Sequence, residues 1–192
     1  MLTASLIPRA IAWVSSTSAA GVDNIAPHSF NTVAGVSPPT VCFVSVGAKD
    51  TLRNVRETGE FVLAVAGRSA AAVMNDTATN FEHERSEYDA ADLAREPSRA
   101  VRPPRPAIAP VVLECRVSGE HAIGDSVMVF GEVVHLAWAE DVVAEDGLPD
   151  PERVRPVARL GRSQWAEIGP VFSWARLDVS QWDDGARTEP LD

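Results

Sequence analysis

Two stretches of the sequence carry side chains suited to holding a polar ligand. The first, NIAPHSFNTVAGVSPP (24–39), sets Asn24, His28, Ser29, Asn31 and Thr32 between two apolar runs, AIAWVSS and TVCFVSV. Polar groups in so apolar a setting need hydrogen-bond partners, and Phe30 in their midst argues against an ordinary surface loop. The second stretch is VGAKDT (46–51). Lys49 is the only lysine among 17 basic residues and stands immediately before a predicted helix start. The free N–H groups and partial positive charge of a helix N-terminus, joined by Lys49 and Thr51, could hold a phosphate. The alternative is an exposed Lys49, with Asp50 capping the helix.

Other chemistries find less support. The serines form no GxSxG elbow, and His28, His83, His121 and His135 fall in no catalytic motif, so hydrolysis is weakly supported. Neither GxGxxG nor GxxxxGK[ST] occurs, which leaves Rossmann and P-loop sites without a signature. The two cysteines, Cys42 and Cys115, stand alone in apolar runs; buried free thiols in a reducing cytoplasm are expected, and no metal site. Glu82, Glu84, Glu87 and Asp89 are expected to form a solvated face. A formal net charge of -10 disfavours nucleic acid and anionic membrane as partners, since both reward clustered Lys and Arg. Pro8 and Arg9 interrupt the apolar N-terminus, which argues against a signal peptide, and no run reaches a membrane span.

The elements that must position the two stretches follow from alternation and turn residues. Strands are predicted at 9–17, over NIAPHSF, at 40–46 after Pro38 and Pro39, and at 60–65. A helix should begin at Asp50 or Thr51, bury Leu52 and Val55, and stop at Gly59. Residues 68–95 suggest helix, and the proline-laden 97–110 an extended connector. Beyond it, Leu113, Cys115 and Val117 alternate with polar residues, and 126–138 form a long strand with Gly131 as a bulge or a point of close approach. Residues 139–155 suggest a solvated acidic loop and 171–179 a final strand. The fold class expected is mainly β with helical additions, a barrel forming one domain over 1–180, with a mobile tail over 181–192.

Taken in order, PRAIAWVSSTSAAGVDNIAPHSFNTVAGVSPPTVCFVSVGAKDTLRNVRETGEFVLAV closely resembles the N-terminal half of the flavin reductase-like, FMN-binding split β-barrel family. That family's pattern runs P-R-P-I-A-W-V-S-T, N-x-A-P-x-S-F/Y-x-N, D-P-P-x-V, K-D-T-x-x-N and T-G-E-F. Further on, RPPRPAIAPVVLECRV, GEVVHL and PVARLGR resemble its connector, a G-E-V strand and P-x-x-R-L-G-G. Ala10 replaces a proline of the pattern, Arg162 its second glycine, and Trp165 a common Tyr or His.

The resemblance implies a bound FMN, with FAD possible, and NADH or NADPH as co-substrate. It places Ser15, Ser16, Thr17, Asn24, Ala26, Ser29 and Phe30 along the flavin and Ser45, Lys49 and Thr51 toward its phosphate. His28 and Arg159 are candidates near the ring or the nicotinamide; a satisfied core histidine and a surface arginine are the alternatives. The implied activity is hydride transfer from NAD(P)H to flavin and onward to oxygen or a partner monooxygenase, in a cytoplasmic homodimer. Two alternatives stay open: a flavin carrier or sensor without nicotinamide turnover, which the Arg162 and Trp165 departures favour, and a flavin-dependent oxidase or oxygenase acting directly on an organic substrate.

Overall fold

The computed structural model describes residues 1–188 and 190–191. Its main feature is a seven-stranded antiparallel sheet. In chain order the strands are β1 (Ala12–Thr17), β2 (Asp23–His28), β3 (Asn31–Gly35), β4 (Thr40–Val46), β5 (Glu60–Val65), β6 (Val111–Ile123) and β7 (Ser126–Trp138). In space they run β2-β1-β5-β6-β7-β4-β3. The two outermost strands are therefore consecutive in sequence, joined only by Ser29 and Phe30, and the sheet curls until its ends meet. The pairing of β3 with β4 runs on into this turn, where Phe30 O accepts from Val44 N–H at 2.8 Å.

Alternation sorts the side chains into two cores. Inside the barrel, Ala12, Val14, Val41, Phe43, Phe61, Leu63, Cys115 and Val129 pack on Leu52 and Val55 of helix α1 (Asp50–Thr58). On the outer face, Ile11, Trp13, Ile25, Val62 and Ala64 are covered by Ala70, Ala71, Met74 and Tyr88. Helix α1 ends where expected, with Gly59 in the left-handed region at φ 72°. Gly131 lies at a register shift between β6 and β7, and a Cβ there would run into the Phe61 ring. Gly131→Ala is expected to lose about 2 kcal/mol, a fall in Tm of about 6 °C readable by thermal denaturation.

Several expectations need correction. The predicted strand 9–17 is broken at Ile11: Arg9–Ala10 pairs instead with Val157–Arg159, in a small sheet completed by Trp165–Glu167. Residues 68–95 are not continuous helix. Only α2 (Ala71–Asp76) and α3 (Glu87–Ala90) are α-helical, because the segment between must leave the barrel surface and return to it. The acidic loop 139–155 contains a short helix, Pro151–Val154, and buries Val142 and Val154. Of 171–179 only Ser173–Trp174 is strand, paired with Pro190–Leu191, and Val179–Asp183 is helical. Glu189 and Asp192 of the expected tail lie outside the described residues. Both cysteines are free and buried. Among the described residues no helix is long and apolar enough to cross a membrane, and no group of His, Cys, Asp or Glu side chains is arranged to hold a metal.

Candidate functional site

Strand β2 pairs with β1 alone and so has one unpaired border. Its sequence fits that position. Pro27 has no N–H to offer a neighbour, a residue tolerated only at a sheet edge, and the outward N–H of Ile25 is taken by Glu87 Oε2 at 3.2 Å. A cleft of about 410 Å³ lies along this border. Its walls are Asn24 and Ala26–Phe30 of β2 and the following turn, Val44 and Val46 of β4, Ala48–Thr51 at the start of α1, and Thr77–Phe81 with Glu87 opposite.

At one end, Lys49 is the N-cap residue of α1 and no side chain caps the helix. The first-turn N–H groups therefore face the cleft mouth without an internal acceptor. Lys49 is exposed and forms no ion pair among the described residues. Asp50 does not cap; its carboxylate is engaged by His83 Nδ1 at 2.9 Å and Arg53 at 3.4 Å. This end sets an ammonium and free N–H groups beside the engaged carboxylate of Asp50.

The middle is a buried polar network. Asn24 Oδ1 accepts from Thr51 Oγ1 at 3.0 Å and from Ser16 Oγ at 3.2 Å, while Asn54 Nδ2 donates to Ser16 Oγ at 3.2 Å. Asn24 Nδ2 donates to Glu87 Oε2 at 2.7 Å, which fixes the orientation of the amide. Burial pushes the Glu87 carboxyl above the usual carboxylate range and the charge of Asp50 adds to this, against the pull of the bonds from Ile25 and Asn24.

At the far end, Ser29 and the partly exposed Phe30 form a ridge. Arg9 Nε donates to Ser29 Oγ at 3.4 Å, and the guanidinium sits 5.8 Å from the centre of the Phe30 ring. His28 is buried against Phe43, with ring centres 4.8 Å apart. Its Nδ1 lies 3.1 Å from Val44 O, and because a carbonyl only accepts, the ring proton is on Nδ1. Nε2 then keeps a lone pair, buried and without a partner among the described residues. Burial lowers the His28 pKa to about 4, opposed by the Val44 bond and helped by the Lys49 charge, so the ring is neutral at pH 7. Beyond the ridge, an apolar cleft of about 420 Å³ shares Ser29, Phe30 and Val44 and is lined also by Leu6, Cys42 and Met128.

Of the residues expected from sequence, Asn24, Ala26, His28, Ser29, Phe30, Lys49 and Thr51 come together in the cleft wall. Ser15, Ser16, Thr17 and Ser45 do not. Ser15 and Ser16 are fully buried behind it, Thr17 donates to Asp23 at 2.8 Å, and Ser45 turns to Gly47 O at 3.1 Å. Arg159 lies in the small sheet, with its guanidinium 5.1 Å from the centre of the Trp165 ring, and lines neither cleft. Arg162 adopts φ 58°, the left-handed conformation that a glycine would take without strain. Glu87 was expected to be solvated and is 5% exposed, whereas Glu82, Glu84 and Asp89 are exposed. Glu87 and 77–81 were missed as cleft residues. The hydroxyl and amide run NDTATN carries the same signal as 24–32, and Trp13 Nε1 anchors it through Thr77 Oγ1 at 2.9 Å.

An anion end, a polar middle and an aromatic ridge fit a phosphorylated, hydroxylated, flat ligand, and the unpartnered His28 Nε2 fits one with an N–H or O–H donor. Comparison with known proteins agrees. A family model described as "Flavin reductase like domain" matches residues 4–156. An uncharacterized protein of Halalkalibacterium halodurans is 36% identical over 193 residues, covering 94% of this chain and 91% of its own. Nitrilotriacetate monooxygenase component B from Bacillus cereus superposes with a TM-score of 0.84 at 31% identity over 90% of both chains. The 2-nitrobenzoate 2-nitroreductase NbaA of Pseudomonas fluorescens gives 0.82 at 29% identity over 93% of this chain and 88% of its own.

Proposed function

This chain belongs to the flavin reductase-like family, with its split-barrel fold, and on that premise we propose that it binds FMN in the cleft and works as an NAD(P)H-dependent flavin reductase. One observation carries the proposal. A lone ammonium at an uncapped helix N-terminus shares a single cleft with an unpaired strand border and an aromatic ridge. When bound, the flavin supplies the redox chemistry, taking hydride from the nicotinamide and passing electrons to oxygen, a partner monooxygenase or another acceptor.

The protein's part is placement. Lys49 and the first-turn N–H groups of α1, that of Thr51 among them, meet the phosphate, while the Thr51 hydroxyl stays bonded to Asn24. Asn24, held by Ser16, Thr51 and Glu87, and Ala26 border the ligand's middle. Ser29 and Phe30 border the ring, and His28 offers a neutral acceptor. The apolar cleft beyond Phe30 gives a nicotinamide room beside the ring. Arg159, paired in register with Arg9, stands one strand away from it.

The exposed Phe172 (74%), Trp174 (52%) and Trp182 (55%) support a homodimer that covers them, and a monomer mass by light scattering would remove that assignment. For the activity, purified protein is expected to be yellow or to bind added FMN, and to bleach anaerobically with NADH or NADPH. Protein that stays yellow with both is instead a flavin carrier. Colourless protein with no affinity for flavin ends the proposal.

A further inference from the structure

Glu87 has a duty left unfilled by its structural bonds. The two donors from β2, Asn24 Nδ2 and Ile25 N–H, converge on Oε2, and the residue's own N–H also pulls on the carboxylate. Oε1 has no hydrogen-bond partner among the described residues, although the side chain lines the cleft and the residue is 5% exposed. Oε1 is not sealed in the interior as His28 Nε2 is; it is open to the cleft. Two donors for one oxygen and none for the other is the pattern of a group with a place reserved for a ligand donor.

Its position selects the part of the ligand. Glu87 grips β2 at Asn24 and Ile25, next to Thr51, while the aromatic ridge begins at Ser29. From Asn24 to Ser29 an extended chain covers about 17 Å. The anion end is marked by the Lys49 ammonium, with the Asp50 carboxylate beside it engaged by His83 and Arg53, and the ring end lies at Phe30. What falls beside Glu87 is the hydroxylated linker between them. Resting on the flavin-binding proposal above, we infer that Glu87 is a ligand-binding residue whose Oε1 accepts a hydrogen bond from a hydroxyl of the flavin's polyol chain.

Glu87→Gln tests this with little risk to the fold, because the Gln carbonyl can accept from both Asn24 and Ile25 while its NH₂ replaces the free acceptor. Wild type and variant are titrated with FMN, riboflavin and lumiflavin, which has the ring but no polyol, following fluorescence quenching. Exchanging a charge-assisted bond for a neutral one should weaken FMN and riboflavin by about tenfold each and leave lumiflavin unchanged. An equal loss for lumiflavin would overturn the assignment, since Glu87 would then act on the ring or through the frame. So would tighter FMN with riboflavin unchanged, which would put the phosphate beside the carboxylate. A flavin with a plain alkyl chain in place of the polyol needs no variant: it should bind wild type at least tenfold more weakly than riboflavin, and equal binding would overturn the inference. If wild type binds none of these ligands, it is the flavin site itself that fails.

Discussion

Lys49→Ala is expected to lose about a hundredfold in affinity for FMN and almost nothing for riboflavin. A charge-assisted bond to phosphate contributes about 1.5–3 kcal/mol, and each 1.4 kcal/mol is tenfold in affinity. The upper part of that range applies because Lys49 has no carboxylate partner to fall back on among the described residues, and no second lysine exists to replace it. Folding should be untouched, since Lys49 is exposed and its side chain makes no capping bond. Titration of both flavins against wild type and variant separates the possibilities. An equal loss for both would move the phosphate away from Lys49, and no loss for either would remove the anion site.

The second large effect concerns stability in acid. The His28 pKa lies at about 4, against an ordinary value of 6.5. Between these values the unfolded chain binds a proton that the folded chain refuses, so this group's contribution is fully present above pH 6.5 and drains away as pH falls toward 4. The full difference is about 3 kcal/mol. Glu87 acts in the opposite sense: its raised pKa favours the folded state below the ordinary carboxylate range and costs stability above it. The two overlap, so the sum does not isolate His28. The comparison that does is unfolding free energy against pH for wild type and His28→Gln, each without flavin. Wild type should show the steeper fall between pH 6.5 and 4, and parallel curves would contradict the burial of a neutral ring.

What could be read from the sequence was local. The stop at Gly59 needs only its own backbone, and strands 40–46 and 60–65 announce themselves by short apolar runs between turn residues. The place of Lys49 and Thr51 at the start of α1 was legible because a helix start is marked by its own residues. The hydroxyls of residues 15–17 were harder. Side chains alternate along β1, so Ser15 and Ser16 cannot face the same way, and cross-strand pairing gives Ser16 to Asn24 and Thr17 to Asp23. Glu87 was hidden for another reason. Its environment is made by a strand border more than 60 residues earlier in the chain, and an acid beside Glu82, Glu84 and Asp89 looks like one more solvated charge.

Pro27 has a consequence of its own. A bare sheet margin is a template on which another chain can add itself by backbone pairing, and proteins usually blunt it or hide it. Here one outward amide is already spoken for by a carboxylate and the next does not exist. A foreign strand finds no register to zip into, so the margin can stand open to the cleft without seeding aggregates.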